Sequence, residues 1–359
     1  MSTRFTLFFG IFAVMALSNA IIPVLPSFAG TSSLQGAIYA AYFLGAFVST
    51  LPAGVLSDRY GRLVFIRAGL ILTVISGMVL SALTSPVPVL AIRFCEGVGA
   101  GCFIAAALSL VNSLPDHQRM SGYFMALLNA GLVTGLVAAG WLGAVFPFPA
   151  MGLLLFTGLT LIPAAASVFL HESPVTSLKG NTFALLPLLG EYRWLWYSSV
   201  ILVGITGVVT SLYPGFSGVS SGIVGGWIAL MGISTIIAVL AVSRLPLPPV
   251  PAIRWSAILM VAGFLLSFYS PLGFIVVGAL AGVVMIAQMA FLAGIKEHQG
   301  VAMGLFTTTG YLGMALLPFL AGLIADTAGF FFTFCAATFC AVTVALSIGW
   351  CGCRKPGAA

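Results

Sequence analysis

The sequence predicts an all-α membrane protein: twelve transmembrane helices in two pseudo-symmetric six-helix halves. Three observations predict it. Of the 359 residues, 61% are hydrophobic and 6% are charged, against about 25% charged in a soluble domain. A chain this poor in charge cannot cover its surface with polar groups, so lipid is the solvent of its outer face. Its apolar runs recur at a length of about 20 residues, enough to cross about 30 Å of hydrocarbon. The third observation is a repeat. Gly122, Phe124, Gly131 and Gly140 return 182 residues later as Gly304, Phe306, Gly313 and Gly322. An acid-His-Gln triplet stands just before each set, Asp116-His117-Gln118 and Glu297-His298-Gln299. A shift of half the chain is what a duplicated six-helix unit predicts.

The first half, 1–170, reads as spans near 5–29, 34–56, 64–84, 87–110, 121–146 and 149–170. Its N-terminus has the outline of a signal peptide: Arg4, an apolar core, then Ser18-Asn19-Ala20. The apolar run continues through Ile21, Ile22 and Val24, and cleavage would remove the first span, so it is read as a helix. The second span is expected to end near Gly54–Leu56. Asp58, Arg59 and Arg62 follow, and each would cost roughly 2.5–3.5 kcal/mol at the centre of a membrane helix. They belong to a tight basic hairpin in which Gly61 lets the backbone turn through positive φ.

In order and position this stretch, Gly54-Val-Leu-Ser-Asp58-Arg59-Tyr-Gly61-Arg62, resembles the signature loop of the major facilitator superfamily of secondary transporters. It departs from the usual pattern at Leu63, where a basic residue is common. The resemblance implies the twelve-helix fold and alternating access. It also implies a latch, in which Asp58 meets the start of helix eleven near Gly300–Met303. A helix N-terminus attracts a carboxylate by about 0.3–2 kcal/mol, enough to bias a near-balanced equilibrium several-fold.

The fourth span carries Leu90-Ala-Ile-Arg93-Phe-Cys-Glu96-Gly97-Val-Gly-Ala-Gly101. Arg93 and Gly97 resemble the fourth-helix motif of proton-coupled members of that family; Glu96 stands where Gln is common. A spacing of three puts Arg93 and Glu96 on one helical face, and an unpaired charge at that depth is expensive. Two roles stay open for the pair: a structural ion pair that fixes the helix, or a proton-coupling site. In the second case Arg93 favours the carboxylate, and separation in a dry cavity favours the acid. Gly131, Gly135 and Gly140 of the fifth span look like a worn version of the glycine-rich motif of the family's antiporters. Small residues at this spacing, like Gly97 and Gly101, also let helices pack closely in any membrane protein.

The polar interval 171–193 is read as a connector between the halves, with Phe183 to Leu189 as a short surface helix. The second half, 194–359, reads as spans near 194–214, 221–243, 254–270, 272–294, 300–325 and 330–350. Between its second and third spans, Arg244-Leu-Pro-Leu-Pro-Pro-Val-Pro-Ala-Ile-Arg254 is expected to be stiff and extended. With the N-terminus in the cytoplasm, all loop arginines and lysines fall on the cytoplasmic side, so both termini are expected there.

The net charge of +6 is spread over short loops, which argues for membrane topology rather than nucleic acid. No Gly-rich phosphate loop of the P-loop type is written in the sequence. No nucleophile–base pair or metal-spaced cluster appears either, so neither an enzyme nor a metal or cofactor is expected. His117, His171 and His298 are loop residues. Four cysteines lie in spans as small apolar residues; Cys351 and Cys353 give only a weak acylation or metal signal.

The polar groups left to line a cavity are Asn19, Tyr39, Tyr42, Asn129, Tyr213, Trp227, Gln288 and the stretch Thr307, Thr308 to Tyr311. So apolar a lining suits a lipophilic or amphipathic small molecule. The expected function is secondary transport, as proton-coupled export of such compounds in the manner of the family's multidrug exporters. Two alternatives stand beside it: uptake or facilitated transport of a small metabolite, with Arg93 binding a carboxylate, and a non-transporting receptor or scaffold on the same fold. A monomer in a prokaryotic plasma membrane is expected.

Overall fold

The computed structural model describes residues 3–113, 117–146, 148, 150–170, 185–243, 245, 247–293 and 299–350. Among them there are helices and turns and no strands. Twelve helical segments are long and apolar enough to cross a membrane, from Thr3–Phe28 to Phe330–Trp350. Their bounds fall within a few residues of those expected.

The first span is not one helix. α1 (Thr3–Ala20) ends in a 3-10 turn, Ile22–Val24, followed by the short α2 (Leu25–Phe28). Pro23 has no N–H to offer the carbonyl four residues back and its ring crowds that turn, so the helix stops there. α3 (Ser32–Tyr60) starts at Thr31, whose hydroxyl accepts the Leu34 N–H at 3.4 Å. It runs to Tyr60, past the expected end near Gly54–Leu56. Asp58 and Arg59 are unfavourable in hydrocarbon, not in a helix, and nothing before Gly61 breaks one. Gly61 alone makes the reversal, at φ 100° and ψ 134°, and α4 (Arg62–Ala82) begins at the next residue.

α5 (Pro86–Asn112), α6 (His117–Val145) and α7 (Met151–Val168) complete the first six spans. Arg67 of α4 closes the end of α7. Its Nε donates to the Ser167 carbonyl at 2.9 Å, and one terminal nitrogen donates to Val168 and Leu170 carbonyls at 3.2 and 2.6 Å. The last carbonyls of a helix lack intrahelical donors, and a cation there also suits the helix dipole.

Most of the interval read as a connector, 171–184, lies outside the described residues. α8 (Leu185–Glu191) forms where a short helix was expected, and the Trp196 indole donates to its Leu188 carbonyl at 3.0 Å. α9 (Arg193–Ser217), α10 (Ser221–Val242), α11 (Pro249–Tyr269), α12 (Leu272–Ala293), α13 (Gln299–Ala328) and α14 (Phe330–Ser347) follow. The proline-rich stretch is shorter than expected, because α11 starts at Pro249 rather than near Arg254. Prolines are well placed in a first turn, where an N–H would have no partner. Cys351 and Cys353 lie outside the described residues.

The chain divides into two compact units: 1–180 with 211–229, and 181–210 with 230–359. Within each, glycines bring helices together backbone to backbone. In the first unit Gly131 and Gly135 of α6 lie against the Phe12 and Ala16 carbonyls of α1, and Gly97 and Gly101 of α5 lie against the Tyr42 and Ala46 carbonyls of α3. In the second unit Gly313 of α13 lies against the Val200 carbonyl of α9, and Gly278 and Gly282 of α12 against the Met231 and Thr235 carbonyls of α10. The repeat seen in sequence therefore performs the same packing task twice. Arg254 of α11, with its guanidinium against Gly349 at the end of the last span, stands where Arg67 stands in the first half.

Candidate functional site

The site grows from α5. Nothing polar lines most of this helix, so its two charges must satisfy each other inside the bundle. Arg93 is 1% exposed and Glu96 is fully buried. One turn apart, they form an ion pair: an Arg93 terminal nitrogen donates to Glu96 Oε2 at 2.7 Å. The second terminal nitrogen donates to the Ser18 carbonyl at 3.1 Å. That carbonyl belongs to the last turn of α1, where the break at Pro23 ends the helix. The guanidinium carbon also lies 4.6 Å from the centre of the Tyr42 ring, within cation–π range. Among the described residues, Glu96 Oε1 and Arg93 Nε have no hydrogen-bond partner.

The surrounding glycines fix this geometry. A side chain at Gly97 would overlap the Tyr42 carbonyl, and one at Gly45 would overlap the Phe94 carbonyl. On the other side of α5, Gly99 and Gly69 of α4 face each other in the same manner. α5 is thus clasped between α3 and α4. Tyr42 is itself buried at 3% exposure, with Phe43 edge-on at 5.1 Å.

The second half builds the same contact without charge. The register set by Gly97/Gly278 and Gly101/Gly282 places Phe274 at the position of Arg93 and Val277 at that of Glu96. Met231 stands at the position of Tyr42. All three are buried.

A family model described as Major Facilitator Superfamily matches residues 7–318. The chain belongs to that superfamily. It is 27% identical over 203 residues to the quinolone resistance protein NorA of Staphylococcus aureus, a match that covers 53% of this chain and 50% of the relative. The chain thus spans about half the length of the curated relative it matches. Among solved structures, a bacterial homologue of the human lysosomal transporter Spinster superposes with a TM-score of 0.81 at 12% identity, covering 99% of this chain and 98% of that one. The nucleoside transporter NupG superposes with a TM-score of 0.74 at 13% identity, covering 99% and 100%. At these identities the likeness is one of fold. The family and the solved neighbours are transporters, not enzymes.

For a Major Facilitator Superfamily chain the other expected site residues are distributed as follows. Gly54 is in ordinary contact with Ala105, Arg59 is exposed with its guanidinium 5.4 Å from the Tyr60 ring, and Arg62 is half-buried. The side chain of Asp58 lies outside the described residues, as do Gly300, Val301 and Met303 side chains, so the expected latch does too. Gly140 meets the Ser221 carbonyl and Gly225, and the Ser221 hydroxyl donates to the Gly140 carbonyl at 3.1 Å.

The polar lining candidates are divided between the two units. Asn19 donates to the Leu132 carbonyl of α6 at 3.2 Å, and Asn129 to the Met125 carbonyl of its own helix at 2.8 Å. Tyr39 is buried with Phe43 at 4.9 Å. Tyr213 and Trp227 form an edge-on pair in the first unit, ring centres 6.1 Å apart. Gln288 is fully buried in the second unit and donates to the Ser198 hydroxyl at 3.0 Å. Thr308 donates to the Gly304 carbonyl at 2.8 Å, one turn below half-buried Tyr311. Sequence reading missed the Ser18 carbonyl; Pro23 signals only that the helix ends nearby.

Proposed function

We propose that this chain is a secondary transporter that exports small lipophilic or amphipathic compounds in exchange for protons, by alternating access. The observation that carries the reading is the enclosed Arg93–Glu96 pair: the acid is fully buried inside a span, one of its oxygens has no partner, and its neighbour is a fixed cation. A carboxylate so placed is suited to exchanging a proton when its surroundings change. Similarity to a relative named for quinolone resistance supports a lipophilic substrate. Carboxylate uptake on Arg93 is less well supported, because its guanidinium is already engaged by Glu96, Ser18 and Tyr42.

In this reading the arginine-rich ends face the cytoplasm of a prokaryotic cell, the Asp58 loop serves as the latch, and the protein acts as a monomer without a cofactor. The test uses purified protein in liposomes loaded with a pH-sensitive dye. A gradient of a lipophilic cation or neutral drug drives proton movement in the wild type and none in Glu96→Gln. Substrate flux without proton movement removes the antiport reading.

A further inference from the structure

We infer that Tyr42 and the Ser18 carbonyl form a neutral cradle that keeps Arg93 charged and in place while Glu96 gains and loses a proton; this rests on the proposed role of Glu96. Arginine does not give up its proton in proteins. If Glu96 were the sole partner, protonating it would strand a buried cation, and the acid would be locked as a carboxylate. The structure supplies two further partners that carry no titrating proton. One is the Ser18 carbonyl at 3.1 Å, in the last turn of α1, where unpaired carbonyls gather and the helix dipole is negative. The other is the face of Tyr42, 4.6 Å from the guanidinium carbon, whose ring quadrupole attracts a cation.

The proton has a defined place. It binds Glu96 Oε1, the oxygen without a partner, forming an O–H bond there. Oε2 goes on accepting from Arg93, and the pair passes from net zero to one positive charge.

Packing alone does not ask for an aromatic ring at position 42. In the second half the same glycine-to-carbonyl contact is made by Gly278 on Met231, with Phe274 and Val277 in place of the charges. The ring occurs in the half that holds the cation. The titratable and charged groups on the elements packed against α5 are Tyr39 and Tyr42 of α3, Arg62 and Arg67 of α4 and Tyr123 of α6, with His117 and Arg119 in the first turn of α6, whose side chains lie outside the described residues. α1 adds Arg4, about 20 Å along the helix from Ser18, and Asp58, Arg59 and Tyr60 lie at the basic end of α3. Among the described residues, the charged group in contact with Glu96 is Arg93.

The experiment is an infrared pH titration of the full-length protein in detergent, which needs no substrate. It follows the C=O stretch of a protonated carboxyl, assigned to Glu96 by its loss in Glu96→Gln. Position 42 is replaced by phenylalanine and by its ring-fluorinated analogues, which keep the shape and weaken the negative face. Tyr42→Met, which takes over the residue used at this place in the second half, is the natural variant expected to fold. The midpoint of the Glu96 band should move to lower pH along the fluorination series. From Tyr42→Phe to the trifluoro analogue or to Tyr42→Met the shift should be about one pH unit. A band that titrates at one midpoint throughout the series overturns the cradle and leaves Glu96 as the proton carrier. A band that never appears, with Glu96 ionised across the accessible pH range, overturns both the cradle and the proposed function.

Discussion

Gly97 lies so close to the carbonyl of Tyr42 that a single added carbon would overlap it, while four residues earlier Arg93 covers the ring of the same tyrosine. Packing and charge are therefore fixed by one contact. Gly97→Ala is expected to force α3 and α5 apart and cost about 1–3 kcal/mol, the usual range for overpacking. Thermal unfolding in detergent measures it. Gly54→Ala, which meets only Ala105 at 3.9 Å, should leave the melting temperature nearly unchanged.

Removing one member of the buried pair should harm the fold more than removing both. Arg93→Met leaves Glu96 without its cation and is expected to destabilise by about 3–5 kcal/mol at neutral pH. The double variant Arg93→Phe with Glu96→Val, which copies the second half, should recover most of that loss. Denaturant unfolding of the three proteins checks this. Recovery of stability without recovery of proton movement would separate the pair's function from its structural role.

Arg67 ties α4 to the end of α7 through three carbonyls. Arg67→Met leaves them without donors and should cost about 1.5–3 kcal/mol. Hydrogen exchange should quicken first at Ala166 to Leu170, ahead of the rest of α7. Arg67→Lys, with a compact ammonium in place of the planar fork, should restore only part of the protection.

Gly61 holds the reversal between α3 and α4 at φ 100°. Gly61→Ala is expected to cost about 1–3 kcal/mol, since a side chain is strained there. The loss should show as a lower melting temperature. A substitution at Gly122, around which there is open space, is the control.

Much of this was legible in sequence because hydrocarbon is an undemanding solvent to predict: apolar length gives the spans, and Gly61 and the glycine pairs mark turns and close approaches. Arg93 and Glu96 were legible as a pair from their spacing. Their other partners were not. The Ser18 carbonyl is backbone and carries no residue signature; it is one of the last carbonyls of α1, which ends at Ala20. Tyr42 reads as a cavity residue until α3 and α5 are brought into register. The end of α3 and the start of α11 lie a few residues from their expected places for a different reason. Charge and proline mark where hydrocarbon stops, whereas a helix continues or begins wherever its backbone allows.

The glycine-to-carbonyl contacts along α5 and α6 carry a mechanical consequence. A joint made of side chains can loosen gradually, one rotamer at a time. A joint made of main chain against main chain has no rotamers to spend: it is either seated or broken. Such seats couple α1 to α6 at Gly131 and Gly135, and α3 to α5 at Gly45 and Gly97. Each pair should behave as one stiff piece, and working motion has to be found outside the two seams.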